Sequence, residues 1–162
     1  MLSTLSIKNY ALIDQLQVNF NQGFTIITGE TGAGKSILLG GLSLILGKRA
    51  DLNSLKNKDI KCVIEALFDI SNYNLQPLFK SEDLDYESHT IIRREILPSG
   101  KSRAFINDTP VNLNTLQIIS KHLIDIHSQH DTLQLVDNDF QFQVIDVLSN
   151  NLEQIASYEV EL

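Results

Sequence analysis

The sequence has a single cysteine in 162 residues, Cys62, so no intramolecular disulfide can form. That excludes a disulfide-stapled secreted scaffold and points to a reducing compartment. Proline and glycine are sparse, at three and eight residues, which removes collagen-like and low-complexity readings. No segment approaches the roughly 20 apolar residues of a membrane span. The longest apolar candidate, Ile37–Leu46, is interrupted by Gly40, Gly41 and Ser43. Met1–Tyr10 alternates polar and apolar residues and has no basic region ahead of a hydrophobic run, so it does not read as a signal peptide. No membrane partner and a cytoplasmic location are expected. Basic charge is short as well: 13 Lys and Arg face 20 Asp and Glu, a net −7. That argues against a surface that binds nucleic acid all over.

What is present describes a globular chain. Apolar residues make up 43% and charged residues 20%, close to ordinary usage. A chain this long buries about 68–70% of its unfolded surface. Charge is clustered locally. Lys48, Arg49, Lys56, Lys58 and Lys61 stand against Asp51 and Asp59; Arg93, Arg94, Lys101 and Arg103 stand against Glu95. Glu82, Asp83, Asp85 and Glu87 form the acidic counterweight. All three clusters read as solvated surface.

Periodicity sets the expected elements. Leu2, Leu5 and Ile7, then Leu12–Phe20, predict two short strands with Asn9–Tyr10 between them. Asn21-Gln22-Gly23 is a turn, and Phe24–Thr28 reads as a buried strand. Ser36–Leu46 is apolar nearly all round, the pattern of a buried helix, with Gly47 suited to its C-terminal cap. Cys62–Ile70 alternates as a strand. Thr90–Leu97 and Lys101–Asn107 flank the turn Pro98-Ser99-Gly100 as a hairpin. Asn114–His122 predicts a helix, Leu123–Ile126 a short buried strand, His127–Asp131 a polar loop and Asp139–Leu148 a helix. Residues 151–162 read as the start of a further helix after a lobe spanning 1–150.

One motif carries chemistry. Gly29-Glu30-Thr31-Gly32-Ala33-Gly34-Lys35-Ser36 fits the phosphate-binding pattern G-x-x-x-x-G-K-[ST]. Average composition gives this pattern a chance of about 0.5% in a chain of this length. The residue types follow from the task. Backbone N–H groups must curl around a phosphate, so glycines are placed where the chain turns tightly or approaches the ligand. The helix that follows aims its unpaired N–H groups and positive dipole end at the same anion. Lys35 can reach the β- and γ-phosphates, and Ser36 can offer a hydroxyl to Mg²⁺. A nucleoside triphosphate with Mg²⁺ is therefore the expected ligand.

The rest of a hydrolytic site is missing. Turnover needs an acidic residue at the end of a second apolar strand and a group that positions water. Four apolar residues followed by Asp-Glu occur nowhere. Ala66-Leu67-Phe68-Asp69 and Leu123-Ile124-Asp125 come nearest. Asn57-Lys58-Asp59 places its aspartate one position early for a guanine motif. His127 and His130 lack a nearby third ligand for a metal.

The loop and several further segments resemble the RecN family of bacterial DNA-repair ATPases, which is related to the SMC proteins and carries an ABC-type head. The matching stretches are Leu5–Asn9, Ile13-Asp14, Gly23, Thr28–Gly47, Arg103–Asn107 before Val111-Asn112-Leu113, and Asp125–Asp131. The resemblance implies an α/β P-loop fold, with a mixed sheet and an antiparallel β portion. It implies the N-terminal half of a split head, whose C-terminal half brings the signature motif, the acidic strand and the catalytic glutamate. It makes Gln129 the glutamine that reaches Mg²⁺ and the attacking water, beside Lys35 and Ser36. It implies as partners the missing C-terminal half, a second head that clamps on ATP and, in the whole protein, DNA undergoing repair and recombination. Lys56 stands where SMC-type heads have an arginine, and a lysine cannot reproduce a bidentate guanidinium. Lys8-Asn9 is either near the nucleotide or a strand end on the surface. Two other readings stay open: a self-sufficient P-loop kinase with Arg93, Arg94 or Arg103 closing over a phosphate, and a nucleotide-binding association module without turnover.

Overall fold

The computed structural model describes residues 1–28, 34–126 and, in the last part, 141, 142, 145, 148 and 149. The chain forms two compact units, Met1–Asp125 and Ile126–Leu162.

The first unit is built on a six-stranded sheet in the order β2-β1-β3-β4-β5-β6. Its strands are β1 (Leu2–Tyr10), β2 (Ile13–Asn19), β3 (Cys62–Asp69), β4 (His89–Ile96), β5 (Ser102–Ile106) and β6 (Thr109–Val111). Three helices accompany them: α1 (Lys35–Ile45), α2 (Gln76–Ser81) and α3 (Leu113–Ser120). Every strand pair is antiparallel. The expected antiparallel portion is therefore present, and no parallel pair occurs among the described residues.

β3 shows why the sheet holds. Cys62, Ile64, Ala66 and Phe68 alternate with residues facing the other side, and all four are fully buried. Burial of an Ile or Phe side chain contributes about 1.5–3 kcal/mol. Register carries the apolar face across the strands: Ile7 lies opposite Ile64, and Ala66 opposite Ile92. α1 packs on this face through its glycines. A Cβ on Gly41 would sit 3.0 Å from Ile7 Cδ1, and one on Gly40 would sit 2.7 Å from the Tyr10 hydroxyl. The two glycines that interrupt the apolar run are thus what lets the helix lie close to β1. Leu116 and Ile119 of α3 complete the core, and Phe79 of α2 meets Tyr86 edge-on at 5.5 Å.

Three expectations are corrected. Phe24–Thr28 is irregular and exposed rather than a buried strand, with Phe24 at 91% exposure. A strand needs a ladder partner to satisfy its backbone, and none of the described strands pairs with this segment. Leu123–Ile126 is likewise no strand. Leu123 and Ile124 donate their N–H groups back to Ser120 O, so the chain leaves α3 in a turn, and Leu123 is buried simply as a core side chain. Asn9–Tyr10 is the end of β1 rather than a link after it. In the second unit, residues 141, 142, 145 and 148 are helical, as the pattern over 139–148 predicts. Residues 151–162 lie outside the described residues.

Candidate functional site

α1 begins at Lys35, directly after Gly34, so the last three residues of the motif stand at a helix N-terminus. Gly34 N-caps the helix without a side-chain bond, and no acidic residue occupies the first turn. The first intrahelical bond runs from Leu38 N to Gly34 O at 3.0 Å. The N–H groups ahead of it have no partner within the helix and face outward with the positive end of its dipole. Gly34 has φ 169°, extended backbone open to any residue, and a Cβ there would meet nothing within 4 Å. Neither strain nor crowding by protein requires glycine at 34. What its hydrogen leaves is room for a ligand against the backbone. Lys35 and Ser36 are both exposed. This end of the helix fits a phosphate with a hard cation beside it. Gly29, Glu30, Thr31, Gly32 and Ala33 lie outside the described residues, as do Gln129, His127 and His130. Among the described residues no cluster of three His, Cys, Asp or Glu side chains forms.

At the other end α1 closes with two backbone bonds. Gly47 N donates to Leu44 O at 3.1 Å, and Lys48 N donates to Ser43 O at 3.0 Å. Gly47 has φ +89°, the left-handed turn that favours glycine after a helix. The Gln117 amide of α3 donates to Gly47 O at 3.2 Å. The C-terminal end of the nucleotide-loop helix is thereby held to a second helix.

The weaker candidates find their places. Asn9 is 5% exposed with φ +53°. Its Oδ1 accepts from Asn57 N at 2.7 Å, and its Nδ2 donates to Asn57 O and Ile60 O, both at 2.8 Å. Asn9 is a buried clamp on the 57–60 loop. Lys8, one position earlier, is exposed on the sheet's other face. Lys56 is bound to Asp14 on β2. The three arginines of the kinase reading do not converge. Arg93 and Arg94 are successive on β4 and face opposite sides of the sheet. Arg93 stacks 4.5 Å from the Phe105 ring centroid, whereas Arg94 is fully buried.

A cavity of about 540 Å³ opens on the polar face of the sheet, lined among others by Lys8, Asp14, Lys61, Glu65, Arg93 and Glu95. Of the motif's described residues, Gly34, Lys35 and Ser36, none lines it. Its charges neutralise one another: Lys61 Nζ lies 2.8 Å from Glu95 Oε1, and Arg93 Nε lies 3.9 Å from the same oxygen. Such a surface suits solvent rather than a charged ligand.

The family model described as AAA domain matches residues 4–162. DNA repair protein RecN of Vibrio cholerae is 39% identical over 158 residues, which cover 97% of this chain and 28% of the relative. RecN of Haemophilus influenzae is 38% identical over 90% of this chain and 27% of its own length. The Bacillus subtilis protein is similar at 38%, over 90% and 26%. The chain therefore spans about a quarter of the length of these curated relatives. Among solved structures, an Smc head domain with coiled coil and joint from Pyrococcus yayanosii superposes with a TM-score of 0.67 at 19% identity. That match covers 98% of this chain and 34% of the other. A chain from a study of ATP-driven dimerization and DNA-stimulated activation of SMC ATPases gives 0.65 at 18% identity, covering 90% of this chain and 97% of that one. The fold is thus that of SMC-type P-loop ATPase heads. No described helix is long and apolar enough to cross a membrane. The chain belongs to the AAA domain family, and within it is similar to the RecN proteins over about a quarter of their length.

Proposed function

We propose that this chain binds Mg²⁺–ATP as the nucleotide-loop half of a RecN-like DNA-repair ATPase and turns over only with a second half of the head. The observation that carries the reading is the start of α1: G-x-x-x-x-G-K-S runs into a helix whose first turn has no side-chain cap and no acid. In this reading the loop backbone from Gly29 to Gly34 and the α1 N-terminus hold the phosphates. Lys35 offsets charge on the β- and γ-phosphates, and the Ser36 hydroxyl takes one position on Mg²⁺. Gln129 orients water beside the ion. The acidic strand would come from the C-terminal half.

The exposed segment Phe24–Thr28 supports that division. Phe24, Ile26 and Ile27 are 91%, 71% and 45% exposed. They directly precede the nucleotide loop, where an apolar run is expected to join a sheet supplied by the other half. Residues 1–150 would form one lobe, with 151–162 starting a helix toward a coiled coil. Two such heads would clamp across ATP and release on hydrolysis, coupling nucleotide to repair and recombination of DNA in the cytoplasm.

The test is turnover by the 162-residue chain alone and after addition of the C-terminal portion of its protein. The reading expects phosphate release only in the second case, abolished by Lys35→Ala. Lys35-dependent turnover by the chain alone would favour the self-sufficient kinase-like enzyme and refute the split site.

A further inference from the structure

Arg94 lies in the middle of β4 on the face that carries the core. It is opposite Ile64 on β3 and Ala104 on β5, and on its own strand it lies between Ile92 and Ile96, which point the same way. It is 1% exposed and among the largest fully buried side chains. Its Nη2 donates to Ser102 Oγ at 2.7 Å. Nε and Nη1 are closed to solvent and have no hydrogen-bond partner. Arg94 takes part in none of the ion pairs found among the described residues.

A guanidinium in this position is costly. It is planar, keeps its proton under ordinary conditions and presents five donors. Burial pushes its pKa down, because the charged form is the one desolvation penalises. Leaving a buried charge unpaired is strongly unfavourable. An anion that reached the guanidinium would supply both an acceptor and the opposite charge.

A cavity of about 350 Å³ lies beside it, lined by Arg94 and its acceptor Ser102, by Arg49 from the loop after α1, and by Asn112 and Leu113. Asn112 is the N-cap of α3 and Leu113 its first residue. The Asn112 side chain caps Thr115 N at 2.9 Å, and the remaining N–H groups of that turn present the positive end of the helix dipole. No acidic residue is among the described residues that line the cavity, in contrast to the larger one on the polar face. Two guanidinium groups, a hydroxyl and a helix N-terminus thus meet around one concavity.

We propose that this cavity is a binding site for a small phosphate-class oxyanion, held by Arg94 and Arg49 with Ser102 and the N-terminus of α3. Arg49 follows the C-terminal end of α1, whereas Gly34, Lys35 and Ser36, which do not line the cavity, stand at its N-terminal end. Because Arg94 is buried, the backbone of a duplex cannot reach it. A free phosphate, or a terminal phosphate on a nucleotide strand, can enter the cavity.

The test uses the 162-residue chain carrying Lys35→Ala, which disables the nucleotide loop and makes the two sites separable. Inorganic phosphate is titrated at constant ionic strength by calorimetry. One site is expected to remain in Lys35→Ala, and to weaken about tenfold or more when Arg94→Met or Arg49→Ala is added, as for loss of a charge-assisted hydrogen bond. Phosphate should also raise the Tm of the Lys35→Ala chain over chloride and leave that of its Arg94→Met version unchanged. Arg49 is exposed, so Arg49→Ala keeps the test informative if Arg94→Met fails to fold. Absence of phosphate binding in the Lys35→Ala chain, or binding that Arg49→Ala and Arg94→Met leave unchanged, would overturn the proposal. A dinucleotide with a 5′-phosphate distinguishes the sources. Its competition, with none from the unphosphorylated form, supports a terminal phosphate. Competition by neither supports free phosphate as the ligand. Equal competition by both would overturn the site, since a phosphodiester or a base would then be read.

Discussion

Gly47→Ala tests how α1 is anchored. The perturbation acts twice. Gly47 has φ +89°, and an L side chain in the left-handed region costs about 1–2 kcal/mol. A Cβ there would also lie 2.4 Å from Gln117 Cγ. Gln117 must swing away, and its amide bond to Gly47 O at 3.2 Å is lost, a further cost of about 0.5–1.5 kcal/mol. The total is roughly 2–3 kcal/mol. Urea unfolding reads it as a lower midpoint with an unchanged slope. The partition is checked by a double-mutant cycle. With Gln117→Ala already in place the clash and the bond are gone, and Gly47→Ala should then cost only the backbone share, about 1–2 kcal/mol. Equal cost with and without the Gln117 side chain would show that the α1–α3 contact contributes nothing. A total below about 0.5 kcal/mol would refute the helix-end account altogether.

Two further predictions concern the sheet. Asn9→Ala removes both donors and the acceptor that hold the 57–60 loop and puts alanine at φ +53°. Roughly 2–4 kcal/mol of stability should be lost in chemical denaturation, and Asn9→Gly should recover only the backbone part. Burial pushes the Cys62 thiol from 9.0 up to about 12. The unfolded thiol ionises first, so the native state should lose stability as pH rises from about 9 toward about 12. At pH 8 iodoacetamide should label Cys62 only as fast as the chain unfolds; rapid stoichiometric labelling of the native chain would contradict its burial.

Much of the fold is legible because it rests on period. The alternation over Cys62–Ile70 and the all-round apolar run after Lys35 each correspond to one element, and Gly47 marks a helix end that only a left-handed residue closes. Phe24–Thr28 misleads for a physical reason. Its composition reports a buried strand, but burial depends on a neighbouring strand, and none described here supplies one. β6 carries Pro110, which has no ladder donor, and lies at the sheet's edge, where that donor is not needed. Arg94 is the instructive miss. Counted within a basic cluster it reads as solvated, yet it shares strand parity with Ile92 and Ile96, and that parity already places it inside. Within the candidate site, the motif identifies the residue types, and the structure adds a start of α1 at Gly34 and Lys35 that no side chain caps.

The central claim is that Gly29–Ser36 binds a nucleoside triphosphate. Its most direct test is calorimetric titration of Mg²⁺–ATP into the 162-residue chain, beside the same chain with Lys35→Ala. The account predicts saturable one-site binding that Lys35→Ala removes while the chain stays folded. Absence of binding, or equal binding by both chains, would contradict it.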